Sequence, residues 1–187
     1  TNVCTSLMTD MSYLFQDTVL TQNIGKWDVS NVTTFEGTFK GATIGTIDIT
    51  SWRTHSAITM SHMFESSDFN QSVDSFDFSN VLDMSYMFAG TTAFQQSLGD
   101  IDTGSVTNMS YMFSNSAYNT EIDSLKTPSV TDFSYMFLNA TAFDERVYTF
   151  SYASATTVKG MFMGATSYDR YTRFKDATLL TDVSDLF

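Results

Sequence analysis

Phenylalanine returns at one phase along the whole chain: Phe15, Phe39, Phe64, Phe88, Phe113, Phe137, Phe162 and Phe187 stand 24 or 25 residues apart. Eight in-phase occurrences mark an internal repeat, and a period of this length belongs to proteins built by stacking similar units. Each Phe is preceded by Leu14, Met63, Met87, Met112, Met136, Met161 or Leu186, with Thr38 the exception. Four residues before it stands Met11, Phe35, Met60, Met84, Met109, Phe133, Val158 or Val183. Apolar positions at i, i+3 and i+4 share one face of a helical turn, so the spacing predicts about two turns of helix per unit. Thr33, Asp83, Thr107 and Asp132 read as its N-caps. Two residues after the Phe, the column Asp17, Gly41, Ser66, Gly90, Asn115, Asn139 and Gly164 reads as a left-handed helix stop.

The remainder of each unit carries a second apolar column, Leu20, Ile44, Phe69, Phe94, Tyr118, Phe143 and Tyr168. A short alternating run follows, as in Trp27-Asp28-Val29, Phe76-Asp77-Phe78, Ile101-Asp102-Thr103 and Phe150-Ser151-Tyr152. Period-2 patterning predicts a half-buried strand there. The expected architecture is therefore a repeat solenoid of eight coils of 24–25 residues, each with short strand segments and a short helix, in a single domain over residues 1–187.

Composition supports a packed core. Of the 187 residues 42% are hydrophobic, 15% are aromatic and only one is Pro, which argues against disorder. With 21 acidic against 9 basic residues the net charge is −12, so nucleic acid and anionic lipid are disfavoured as partners. No run approaches 18 apolar residues, and no basic start precedes an apolar stretch, so direct membrane insertion is not expected. The chain lacks an initiator Met, begins part-way through a unit and stops on Phe187 without a polar cap. The expectation is a fragment of a longer chain, or one unit of an assembly with ends that abut other subunits.

Asp77-Phe78-Ser79-Asn80-Val81-Leu82-Asp83-Met84-Ser85-Tyr86-Met87-Phe88-Ala89-Gly90 and Trp27-Asp28-Val29-Ser30-Asn31-Val32-Thr33, with Phe69-Asn70-Gln71, resemble the surface-protein repeat of BspA-like leucine-rich-repeat proteins across the whole chain. The resemblance implies a leucine-rich-repeat-like solenoid on a cell-surface or secreted protein, with adhesion or recognition as its role and no catalytic residues. Departures concentrate at Arg53-Thr54-His55, Val158-Lys159-Gly160 and Val183-Ser184-Asp185, where irregular or specialised turns are expected.

Most distinctive residues are absorbed by packing. Nine of the 11 methionines fall in the two columns beside the Phe and are core filling. The position two before the Phe faces away from that stripe, yet holds Tyr13, His62, Tyr86, Tyr111 and Tyr135. Stacked at about 4.8 Å they would form a surface ladder, either a partner-contact row or rings that merely cover one another. Asp28, Asp77, Asp102 and Asp176, interrupted by Arg53, Lys126 and Ser151, offer oxygen ligands for calcium, but without a compact loop of alternating Asp they read as a solvated face. Cofactors are not expected. His55, His62 and the lone Cys4 do not form a nucleophile–base pair, and Asp144-Glu145 reads as loop solvation, so enzymatic activity is not expected. Sequons at Asn31, Asn70, Asn108 and Asn139 permit glycosylation in a secreted setting. The expected function is a cell-surface or extracellular module binding a protein or glycan through one face; the alternative is a structural spacer or filament subunit that self-associates.

Overall fold

A computed structural model describes residues 5–99, 101–174 and 176–187; Cys4 lies outside the described residues. The repeat is realised as a stack. Parallel bridges run from layer to layer at one phase, Asp10 to Thr34, Thr59, Asp83, Asn108, Asp132, Thr157 and Asp182. Layers are numbered 1 to 8 here by their Phe, from Phe15 to Phe187.

The layers are not made of strands and helices. Among the described residues there is no α-helix and no extended strand, only turns, bends and isolated bridges. The expectation of leucine-rich-repeat-like coils with a strand and a helix is overturned, and the backbone around the Phe shows why. Tyr86 and Gly90 stand at φ 57° and 67°, a left-handed conformation that interrupts any α-helix. The N–H groups of Met87 and Thr91 donate to the carbonyls of Met84 and Phe88 at 3.2 and 3.3 Å. A bond from i+3 to i with positive φ at i+2 is the signature of a type II turn. Two such turns place residues i, i+3 and i+4 inward, so they mimic the apolar period of a helix.

The alternate N–H groups leave the layer. Those of Met84, Tyr86, Phe88 and Gly90 donate to the carbonyls of Asn108, Ser110, Met112 and Ser114 in layer 5, at 2.7–3.0 Å. The same four-bond ladder joins layers 2 and 3 through Phe35, Gly37, Phe39 and Gly41. A helix would send these bonds along its own axis. Here they cement neighbours, so a unit's backbone is satisfied only in the stack. Two of the four predicted caps are real but cap a turn: Asp83 Oδ1 accepts the Ser85 N–H at 2.8 Å, and Asp132 does the same for Ser134 at 2.7 Å. The Thr33 and Thr107 hydroxyls are not caps; they donate to the Thr9 and Leu82 carbonyls of the preceding layer, both at 3.1 Å.

The alternating runs bury as predicted, with Phe76 and Phe78 inside and Asp77 exposed. They are not strands because Asp77 Oδ1 takes the N–H and hydroxyl of Ser79, at 2.9 and 2.6 Å, and bends the chain. The core is a column of phenylalanines in which consecutive rings, from Phe15 to Phe187, stack at centroid distances of 5.5–5.9 Å. The second apolar column packs beside it, with Phe69 3.8 Å from Phe64 and Phe94 3.9 Å from Phe88. Met60, Met63, Met84 and Met87 are fully buried around them. The turns expected to be irregular keep the ladder: Val158 and Gly160 donate to Asp182 and Ser184 at 3.0 and 2.8 Å.

Candidate functional site

The column two before each Phe is left-handed in every layer: Tyr13, Gly37, His62, Tyr86, Tyr111, Tyr135, Gly160 and Asp185 have φ between 54° and 58°. The type II turn demands this value at its third residue, which glycine meets without strain. Gly37 and Gly160 take that solution. His62, Tyr86, Tyr111 and Tyr135 do not, and a left-handed bulky residue costs about 1–2 kcal/mol.

Part of that cost is offset by stacking. Centroid distances are 4.5 Å for His62–Tyr86, 4.5 Å for Tyr86–Tyr111 and 4.9 Å for Tyr111–Tyr135, with interplanar angles of 11°, 6° and 25°. The structure thus brings four of the five candidate aromatics into one continuous ladder. Tyr13 stands apart, because layer 2 offers Gly37 instead of a ring. Its own ring lies across Gly37, where a Cβ would be 2.3 Å from it, and the Tyr135 ring covers Gly160 in the same way at 2.4 Å. Stacking uses up the inner ring faces, so the ladder presents ring edges and hydroxyls to solvent.

Charge gathers at the two ends. Glu65 accepts from His62 Nδ1 at 2.5 Å and pairs with Lys40 at 2.9 Å, and Tyr13 donates its hydroxyl to Glu36 at 2.6 Å. That bond, followed by desolvation and the Glu36 and Glu65 charges, pushes the Tyr13 phenol up to about 12. Desolvation first, then the neighbouring phenols, raises Tyr86 and Tyr111. Glu65 is held below its ordinary value: burial opposes this, but the hydrogen bonds from His62 and Lys40 together outweigh it. Lys159 lies at the far end, forming no ion pair among the described residues.

Burial also raises the phenols of Tyr118 and Tyr152 in the core. The native state therefore keeps protons that the unfolded chain releases near pH 10. The contribution is full below about pH 10 and declines as pH rises beyond it. We expect the urea midpoint to hold up to that point and fall progressively above it, while phenolate absorbance develops only on unfolding for the buried rings. The acid limb has the opposite sign: Asp28 and Asp77 are depressed mainly by hydrogen bonds from Ser30 and Ser79, a contribution lost as pH falls below the ordinary carboxylate range.

The aspartate column does not converge. Asp28, Asp77 and Asp102 each spend Oδ1 on the N–H two residues on, of Ser30, Ser79 and Gly104. Asp176 stands exposed at φ 63°. Among the described residues no three His, Cys, Asp or Glu side chains come together as a metal site requires. Arg53 and His55 open a groove with Asp74, Asp77 and Asp102 over the buried Phe76 and Phe78. His55 lies there and His62 in the ladder, so the two histidines are committed to different surroundings.

The sequon side chains are engaged in the stack. Asn31 Nδ2 donates to the Ser6 carbonyl at 2.8 Å, and Asn139 Nδ2 to Asn115 Oδ1 at 3.2 Å. Asn70 Oδ1 accepts from the Gln95 N–H, and Asn108 Oδ1 from that of Ser110, both at 3.0 Å. The charged groups sequence reasoning passed over are Glu36, Lys40 and Glu65, and Lys159 stood out there only as a departure from the repeat motif. The signal available was their column: they stand beside the ring position, where other layers carry Ser, Gln, Ala, Leu or Met.

Among the described residues no helix is long and apolar enough to cross a membrane. No curated protein matches the chain, and no solved structure does. One family model matches over residues 1–100 and again over 65–174, two overlapping spans as a repeat produces. The chain is a repeat protein and belongs to the family described as Mycoplasma protein of unknown function, DUF285.

Proposed function

We propose that this chain is a protein-binding module that displays its aromatic ladder to a partner at the cell surface or outside the cell. The observation that carries the reading is the left-handed column itself. Gly37 and Gly160 fill the position without strain, whereas His62, Tyr86, Tyr111 and Tyr135 hold large rings there at positive φ. Strain kept where a glycine would serve is characteristic of functional positions. Tyrosine edges and hydroxyls suit a protein contact, being large, amphipathic and low in conformational entropy. A glycan is less well served, because the inner ring faces that would stack on a sugar are already occupied. The similarity of the Trp27–Thr33 and Asp77–Gly90 motifs to BspA-like surface proteins supports the extracellular setting.

The test is the triple variant Tyr86→Ala, Tyr111→Ala, Tyr135→Ala, compared with wild type on immobilised collagen, fibronectin and laminin, on a glycan array and in self-association. The reading expects protein binding that the triple variant loses at a temperature where circular dichroism shows it still folded, its melting temperature being lowered by the lost stacking. Wild type and variant behaving alike on every probe would overturn it. Binding confined to glycans would also overturn it.

A further inference from the structure

The ladder is nearly symmetric end to end. Reading layers 2 to 7, its column runs Gly37, His62, Tyr86, Tyr111, Tyr135, Gly160: four rings flanked by glycine on both sides. We infer that the surface docks a second copy of this chain, antiparallel and ladder against ladder, about a two-fold axis between Tyr86 and Tyr111. The inference rests on the reading of the ladder as a protein-contact surface and supplies its partner.

Period is the first argument. The ladder repeats every 4.5–4.9 Å. An extended peptide laid along it repeats its same-side residues about every 6.6–6.8 Å, so it falls out of register within two rings. A second copy has the same period and stays in register along the whole row. Its contact is isologous, each surface meeting its own likeness.

Charge is the second argument. At −12, two copies repel over most of their surface. Beside the rings of layers 4 to 6, however, stand only Ser85, Ser110 and Ser134 on one side and Ala89, Ser114 and Leu138 on the other. One column further out, antiparallel docking places Asp83 opposite Asn108 and Asp132 opposite Thr59, so no carboxylate meets another across layers 3 to 6.

The ends fix the direction. A two-fold axis lying in the contact plane across the stack sends layer 2 onto layer 7 and keeps each column opposite itself. Glu36 and Lys159 occupy the same column, three before the Phe, in layers 2 and 7. Antiparallel docking therefore sets Glu36 against Lys159 at both ends of the contact. It gives Lys159 an ion pair, which it does not form with any described residue of its own chain, where Asp182 lies near but beyond pairing distance. Parallel docking would leave Lys159 opposite Met163 of the same layer instead.

Sedimentation equilibrium over a dilution series of the whole chain tests this. We expect a monomer–dimer equilibrium that Glu36→Lys or Lys159→Glu alone weakens about tenfold or more, since symmetry counts each like-charge contact twice. The double variant Glu36→Lys, Lys159→Glu restores wild-type association, because the pair is re-formed with exchanged signs. Both positions are at the surface, and unchanged melting confirms that the variants fold. A monomer at every concentration overturns the inference, as does a dimer indifferent to the single exchanges or not restored by the double one. Tyrosine-dependent binding to the matrix proteins by a strictly monomeric chain would leave the module reading standing while removing the second copy as its partner.

Discussion

Replacing Trp52 by alanine is expected to cost about 3–5 kcal/mol, the range for truncating a large buried aromatic, and to lower the urea midpoint accordingly. Trp52 is fully buried, with its ring 6.0 Å from Phe35 and 5.6 Å from Phe39. Its indole Nε1 donates to the Ile24 carbonyl in the layer below at 3.1 Å. The side chain thus fills the core and ties two layers together. Ile24 also accepts the Trp27 N–H at 3.0 Å, so truncation does not leave its carbonyl without a partner. The loss is then chiefly cavity and dispersion. Trp52→Phe should recover more than half of it, since Phe76 fills the same column one repeat on with a smaller ring. Fluorescence of the remaining Trp27 reports the transition. A loss below about 1 kcal/mol for Trp52→Ala would mean that the layers do not share one core.

The core columns were legible in the sequence because burial imposes a period whatever backbone delivers it. Every Phe from Phe39 to Phe162, and every methionine of the two flanking columns, is buried. The backbone between them was not legible. Apolar residues at i, i+3 and i+4 face one way in a helix and equally in two successive type II turns, so Met84, Met87 and Phe88 cannot distinguish the two. The signal that could have done so lay at Gly37, Gly160 and Asp185, which share the tyrosines' column and are poor residues for a helix interior. They mark a second left-handed position four residues after Thr9, Thr33 or Thr107, where only the later Gly and Asn column was read as one. The ladder itself followed from stacking distance, but its interruption at Gly37 required knowing that a ring from one layer lies over the next.

Gly25→Ala is expected to destabilise by about 3 kcal/mol, at the upper end for overpacking a filled interior, without removing a single contact. A Cβ on Gly25 would sit 2.1 Å from the backbone oxygen of Asp48 in the next layer. No rotamer change relieves a clash with backbone, so layers 1 and 2 must part locally. The neighbouring bonds make that costly: Ser51 donates to the Gly25 carbonyl at 2.7 Å and Trp52 to that of Ile24. Gly45 supplies the control, for it stands at φ +60° with nothing within 4 Å of a Cβ. Gly45→Ala tests conformational strain without crowding and should cost about 1 kcal/mol. Urea midpoints of the two variants separate the effects, with Gly25→Ala clearly the lower. The reverse order would mean that the stack yields to an inserted methyl more easily than the turn yields to a side chain, and the inter-layer ladder would then not be what holds neighbouring layers at their spacing.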